Sequence, residues 1–127
     1  MLNTEMFEDY PDIDLTHKIN AMELDNWINH LKHIRRELNN IIGICKKELN
    51  NKLDDFEIVE RFQKKMVENE NLIKALLKYV DSRVNIVECE DIHCDMGYFR
   101  KHESFRKSYL YHLDKYRRLK AEFFNKA

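Results

Sequence analysis

Residues 98–123 read YFRKHESFRKSYLYHLDKYRRLKAEF, and within them Tyr98, His102, Phe105, Tyr109, Leu113, Tyr116, Leu119 and Phe123 recur three and four apart. That spacing keeps one face of an α-helix apolar for about seven turns. The pattern starts at Gly97 and predicts a long third helix carrying eight of the 14 aromatic residues. Working backwards, Ile58, Val59, Phe62, Met66, Ile73, Leu76, Leu77 and Val80 predict a second helix, with Asp54 or Asp55 available to cap it. Ile19, Leu24, Ile28, Leu31, Leu38, Ile42, Cys45 and Leu49 predict a first helix over residues 15–51, with cap chemistry from Asp14 and Thr16 after Pro11. Gly43 interrupts that helix, either weakening it or admitting a close neighbour.

The expected fold is all-α: an up-down-up antiparallel bundle of three long helices, with coiled-coil-like three-and-four spacing and a short N-terminal arm. Residues 1–13 form the arm, whose Met6, Phe7 and Tyr10 are placed to cover an end of the core, and residues 14–127 form one helical-bundle domain. The segment Glu88-Cys89-Glu90-Asp91-Ile92-His93-Cys94-Asp95 reads as an acidic connection, helical or looped. Composition agrees. Two glycines and one proline in 127 residues are too few for the turns of a sheet protein, and 43% apolar with 35% charged residues suits amphipathic helices.

Trp27, Ile34 and Ile41 widen the apolar stripe of the first helix. Either the third helix covers this flank inside the chain, or a second copy does so and completes a larger bundle by oligomerisation. A homo-oligomer or a protein partner is therefore expected. The net charge of −1 excludes a strong overall field for polyanions, yet the ends differ in sign. Residues 1–15 hold five acidic and no basic side chains, and the last thirty hold nine basic and three acidic ones, so an acidic arm can lie against a basic helix. No signal-like start and no apolar run of ~18 residues is present, and three cysteines make an odd count, so no membrane partner and a cytoplasmic location are expected.

Polar residues interrupt the apolar stripes. Arg35, Asn69 and Tyr109 fall at similar heights and are expected to bond to one another or to Glu70; His30, His102, Arg106 and His112 lie in or beside the seam. Such groups specify helix register or line a small-ligand site. Cys89, His93 and Cys94 are candidate zinc or iron ligands, with His17 or Glu23 as the fourth. Otherwise no cofactor is expected. A carboxylate di-iron centre is excluded, because only Glu90-x-x-His93 matches the required pair.

Basic residues Arg100, Lys107, Lys115 and Arg118 surround Tyr111 on the outer face of the third helix, a pattern suited to nucleic acid or to an acidic protein. Two resemblances involve shorter stretches. His33-Ile34-Arg35-Arg36-Glu37-Leu38 is similar to the phosphoacceptor box of histidine kinase hairpins, which would make His33 a phosphoacceptor. Arg106-x5-His112 is similar to the motif of helical HEPN ribonucleases, which implies a phosphate-holding Arg106 and an acid or base at His112 in RNA cleavage. No nucleophile, base and orienting group come together in sequence, so the expected function is a non-enzymatic helical bundle acting through protein-protein interaction, with metal or small-ligand binding and RNA binding as alternatives.

Overall fold

Three helices follow one another: α1 (Ile13–Glu48), α2 (Leu53–Ser82) and α3 (Ile92–Lys126), with a 3-10 segment, Arg83–Glu88, between the last two. The computed structural model describes residues 12–48 and 53–126, and these contain no strand. The expected arm with Met6, Phe7 and Tyr10, and the link between α1 and α2, lie outside the described residues. As expected, the fold is an all-α up-down-up bundle, in which α1 and α3 run parallel to each other and antiparallel to α2.

Helix ends depart from the expectation in instructive ways. α1 begins at Ile13, so Asp14 and Thr16 lie in its first turn instead of capping it; the Asp14 carboxylate is still favourable near the positive end of the helix dipole. α2 begins at Leu53, which likewise puts Asp54 and Asp55 inside it. α3 starts five residues before Gly97, because Asp91 Oδ1 accepts the Cys94 backbone N–H at 3.0 Å and so caps the first turn. The acidic connection is thus largely helical: 3-10 to Glu88, and α-helix from Ile92.

Buried positions on α1 recur by three and four at His17, Asn20, Leu24, Trp27, Leu31, Ile34, Leu38, Ile41 and Cys45, with Ile28 buried beside Trp27. α2 keeps the same spacing through Val59, Phe62, Asn69, Ile73 and Leu76, with Met66 and Val80 partly buried against the core. A shared repeat of about seven residues lets three helices keep one face inward over their length. Full burial of side chains such as Phe62, Leu31 and Leu76 stabilises the fold by about 1.5–3 kcal/mol each, and Phe62→Ala would cost about 3–5 kcal/mol through the cavity it leaves.

Two expected core positions are outside. Ile19 and Leu77 are exposed, and Tyr79 takes the buried place beside Leu77. Trp27, Ile34 and Ile41 are buried within the chain, so the flank of α1 is covered by α3 and gives no apolar surface for a second copy. Leu15, Ile19 and Met22 instead form an exposed apolar stripe at the start of α1. No helix is long and apolar enough to cross a membrane among the described residues.

Candidate functional site

The seam between α1 and α3 carries polar pairs at regular intervals. Glu23, His30 and Glu37 are seven residues apart on α1, and Asp95, His102, Tyr109 and Tyr116 are seven apart on α3. Two parallel helices with the same repeat bring such positions together at a constant offset. His102 Nε2 lies 2.8 Å from Glu23 Oε1, His30 Nδ1 lies 2.5 Å from the Tyr109 hydroxyl, and the Tyr116 hydroxyl donates to Glu37 Oε1 at 2.5 Å, each pair separated by 79 residues. At the top, His17 Nε2 meets Asp95 Oδ1 at 2.8 Å with a separation of 78.

The strongest cluster lies around Trp27. His102 and Tyr109 stack on its ring, with centroids 4.8 Å and 5.3 Å away. The Arg106 guanidinium sits 5.8 Å from the ring centroid and bonds Glu23 and Glu103. Burial lowers the pKa of His102 despite the neighbouring Glu23 carboxylate. For Glu23 burial acts upward, but hydrogen bonds and charge from Arg106 and His102 outweigh it and hold the carboxyl below its usual range. His102 Nδ1 faces the Tyr79 hydroxyl at 3.5 Å, and Arg83 from the 3-10 segment donates to that hydroxyl and to the His17 carbonyl. These groups satisfy one another.

Deeper in the bundle, Asn69 links all three helices. Its Nδ2 donates to the Leu31 carbonyl at 2.9 Å and its Oδ1 lies 2.8 Å from His112 Nε2, which supplies the proton. Burial, with the Lys65 charge adding to it, pushes His112 down to about 4. Arg35 grips Glu70 with two hydrogen bonds of 2.7 and 2.9 Å, a fork that joins α1 to α2. Arg35, Asn69 and Tyr109 therefore do not bond to one another: Arg35 takes Glu70, Asn69 takes Leu31 and His112, and Tyr109 takes His30. The shared height is real but the side chains leave their helices in different directions.

Between α2 and α3 runs a groove with two adjoining hollows of about 320 Å3 and 220 Å3. Arg61, Lys64, Lys65 and Lys115 line it together with Glu68, Leu72, Ser108, Tyr111, His112 and Leu119. Of the five residues expected on a partner face, Tyr111 and Lys115 are in this groove, with Lys115 Nζ 5.2 Å over the Tyr111 ring. Arg100, Lys107 and Arg118 are exposed on α3 outside its lining, and Arg118 pairs with Asp114 at 3.1 Å. The α2 cations were not singled out in sequence, because on that helix they alternate with Glu57, Glu60 and Glu68 and only the fold gathers them beside α3.

Arg106 and His112 do not converge. Six helical residues turn them well away from each other, Arg106 toward Glu23 on α1 and His112 toward Asn69 on α2. His33 is exposed, 4.0 Å from Glu37. Cys89 and Cys94 form a disulfide, with Cα atoms 5.5 Å apart. A disulfide offers no thiolate to a metal. Among the described residues no group of three or more His, Cys, Asp or Glu is placed to hold a metal ion, and the expected fourth ligands His17 and Glu23 are bonded to Asp95 and His102.

No protein-family model matches this chain, and no curated protein or solved structure does so either.

Proposed function

We propose that the chain is a non-enzymatic interaction module, acting in the cytoplasm, whose α2–α3 groove takes an acidic, partly apolar segment of another protein. The observation that carries this reading is the groove lining: four cationic side chains, Arg61, Lys64, Lys65 and Lys115, around Leu72 and Leu119. Apolar contact supplies burial and the cations select negative charge and speed encounter. Glu68 in the same lining, and Glu122 bonded to Arg61, favour a peptide over the continuous phosphates of a nucleic acid. A partner protein is favoured over a second copy, because α3 already covers the flank of α1. In a reducing cytoplasm the Cys89–Cys94 pair would be open.

Fluorescence anisotropy with a labelled amphipathic peptide of glutamate and leucine, and in parallel with labelled oligouridylate, tests the reading. Peptide binding that weakens at least about tenfold in a Lys64→Glu, Lys115→Glu double variant supports it. Binding of oligouridylate alone, with a steep loss on added salt, replaces it by a nucleic-acid function.

A further inference from the structure

On the opposite side of α3 from that groove, α1 and α3 enclose a cleft of about 240 Å3. Its chemistry differs from the groove's. Arg117 stands over it, exposed, and makes no ion pair among the described residues. Glu37 faces it with one oxygen already taken: Tyr116 and Lys120 both donate to Oε1, at 2.5 and 2.8 Å. The Lys120 and Tyr116 hydrogen bonds keep this carboxyl below its usual range, so it is ionised at neutral pH. Among the described residues both hydrogen bonds go to Oε1, and His33 lies 4.0 Å from Oε2.

The third group is His30. Its Nδ1 is bonded to the Tyr109 hydroxyl, and a phenol is the stronger donor of the two, so the phenol proton points at Nδ1 and the imidazole carries its own proton on Nε2. Burial, followed by the charge of Arg117, keeps His30 below its ordinary value and therefore neutral. Among the described residues the one side-chain hydrogen bond of His30 is at Nδ1, which leaves Nε2–H without a protein partner. The cleft thus presents two anion-seeking donors, Arg117 and His30 Nε2–H, beside one free acceptor, Glu37 Oε2, with Ile34 and Leu113 as apolar wall. Lys120 neutralises Glu37, which leaves one uncompensated positive charge.

We infer that this cleft binds a small monoanionic carboxylate that also bears a hydroxyl: the carboxylate on the Arg117 fork and His30 Nε2–H, the hydroxyl donating to Glu37 Oε2. A planar carboxylate matches a guanidinium with two parallel hydrogen bonds. A single negative charge balances the cleft, whereas a phosphate dianion would leave one negative charge in excess. The volume admits a ligand the size of one substituted ring.

Nuclear magnetic resonance of the full chain, labelled at arginine and histidine side chains, reads the binding directly. Titration with para-hydroxybenzoate is expected to move the His30 Nε2 and Arg117 signals to saturation. Benzoate, lacking the hydroxyl, should bind several-fold more weakly. Arg117→Gln should weaken para-hydroxybenzoate at least about tenfold, and Arg117→Lys, which keeps the charge and loses the fork, should fall between. Arg117 is exposed and unpaired, so neither change threatens the fold. Unmoved His30 and Arg117 signals, equal binding by Arg117→Gln, or inorganic phosphate binding more tightly than the carboxylate would each overturn the inference.

Discussion

Trp27 and His102 lie face to face across the α1–α3 seam, their ring centroids 4.8 Å apart and their planes 19° from parallel. Trp27 is the single tryptophan of the chain and is buried, with Tyr109 stacked beside it. Its emission therefore reports on this one seam, and loss of contact between α1 and α3 can be followed without labelling.

Asn69 is fully buried and holds one group on each neighbouring helix. Asn69→Ala removes the acceptor of the His112 proton and strands a buried donor, so stability should drop by about 2–3 kcal/mol. Urea unfolding followed by Trp27 emission measures it. A double variant with His112→Ala should lose clearly less than the sum of the two single changes, because either change already breaks their bond.

Acid should weaken the fold before it reaches the usual carboxylate range. His112 titrates near 6.5 when unfolded and at about 4 in the bundle. Between those values the unfolded chain holds the extra proton, so stability rises with pH: its contribution is complete above 6.5 and is lost as pH falls through the window toward 4. The full loss is about 3 kcal/mol. Burial shifts His102 and His30 the same way, and Glu23 and Glu37, held low by their partners, add to the loss at still lower pH. Urea midpoints taken across the window should fall steeply for the parent chain and less steeply for His112→Gln. Parallel slopes would show that His112 does not carry the effect.

Gly43 sits inside α1 with open space around it, since a methyl group there would meet no atom within 4 Å. Of the two uses the sequence allows, close approach is therefore not the one taken. Gly43→Ala should stabilise the chain by about 0.5–1 kcal/mol by restricting the unfolded backbone and improving helix propensity. A rise in the thermal midpoint checks this, and a fall would mean that the glycine has a role in the assembled protein.

The Cys89–Cys94 bond closes a loop with a sequence separation of only 5, across the start of α3. Reduction should cost about 2 kcal/mol on a loop-entropy basis. Dithiothreitol should lower the urea midpoint of the oxidised protein by a corresponding amount and leave a Cys89→Ser, Cys94→Ser double variant unaffected. Equal response of both would place the reductant's effect elsewhere.

Helix number, direction and most of the core could be read from the spacing of apolar residues, because three-and-four periodicity survives even where polar residues replace apolar ones. His102 and His112 keep the α3 stripe, and Asn69 keeps that of α2. Partner choice was not legible in the same way. Of the two partners the sequence offers Arg35, the structure takes Glu70 and leaves Asn69 aside, because side-chain direction, not height along the bundle, decides who meets whom. Glu23, Glu37, Arg117 and Lys120 carry no apolar signal, and the cue that would have found the first two is the seven-residue recurrence of polar positions on α1 matched by another on α3. Asp91 belongs to an acidic connection whose conformation the sequence leaves open, and its role as a cap is visible only from its carboxylate on the Cys94 amide.

The constant separation along the α1–α3 seam makes the two helices a toothed rack that meshes at one setting. Sliding α3 by seven residues one way would bring Glu23 against Asp95 and His30 against His102, carboxylate facing carboxylate and imidazole facing imidazole. Sliding it seven the other way would set Glu37 against Phe123, which has no hydroxyl to donate. An apolar seam of equal regularity would tolerate either slip, since leucine meets leucine at every heptad. Here one slip sets Glu23 against Asp95, carboxylate on carboxylate, and the other strands Glu37 on a phenyl ring, so an error of assembly in either direction is penalised.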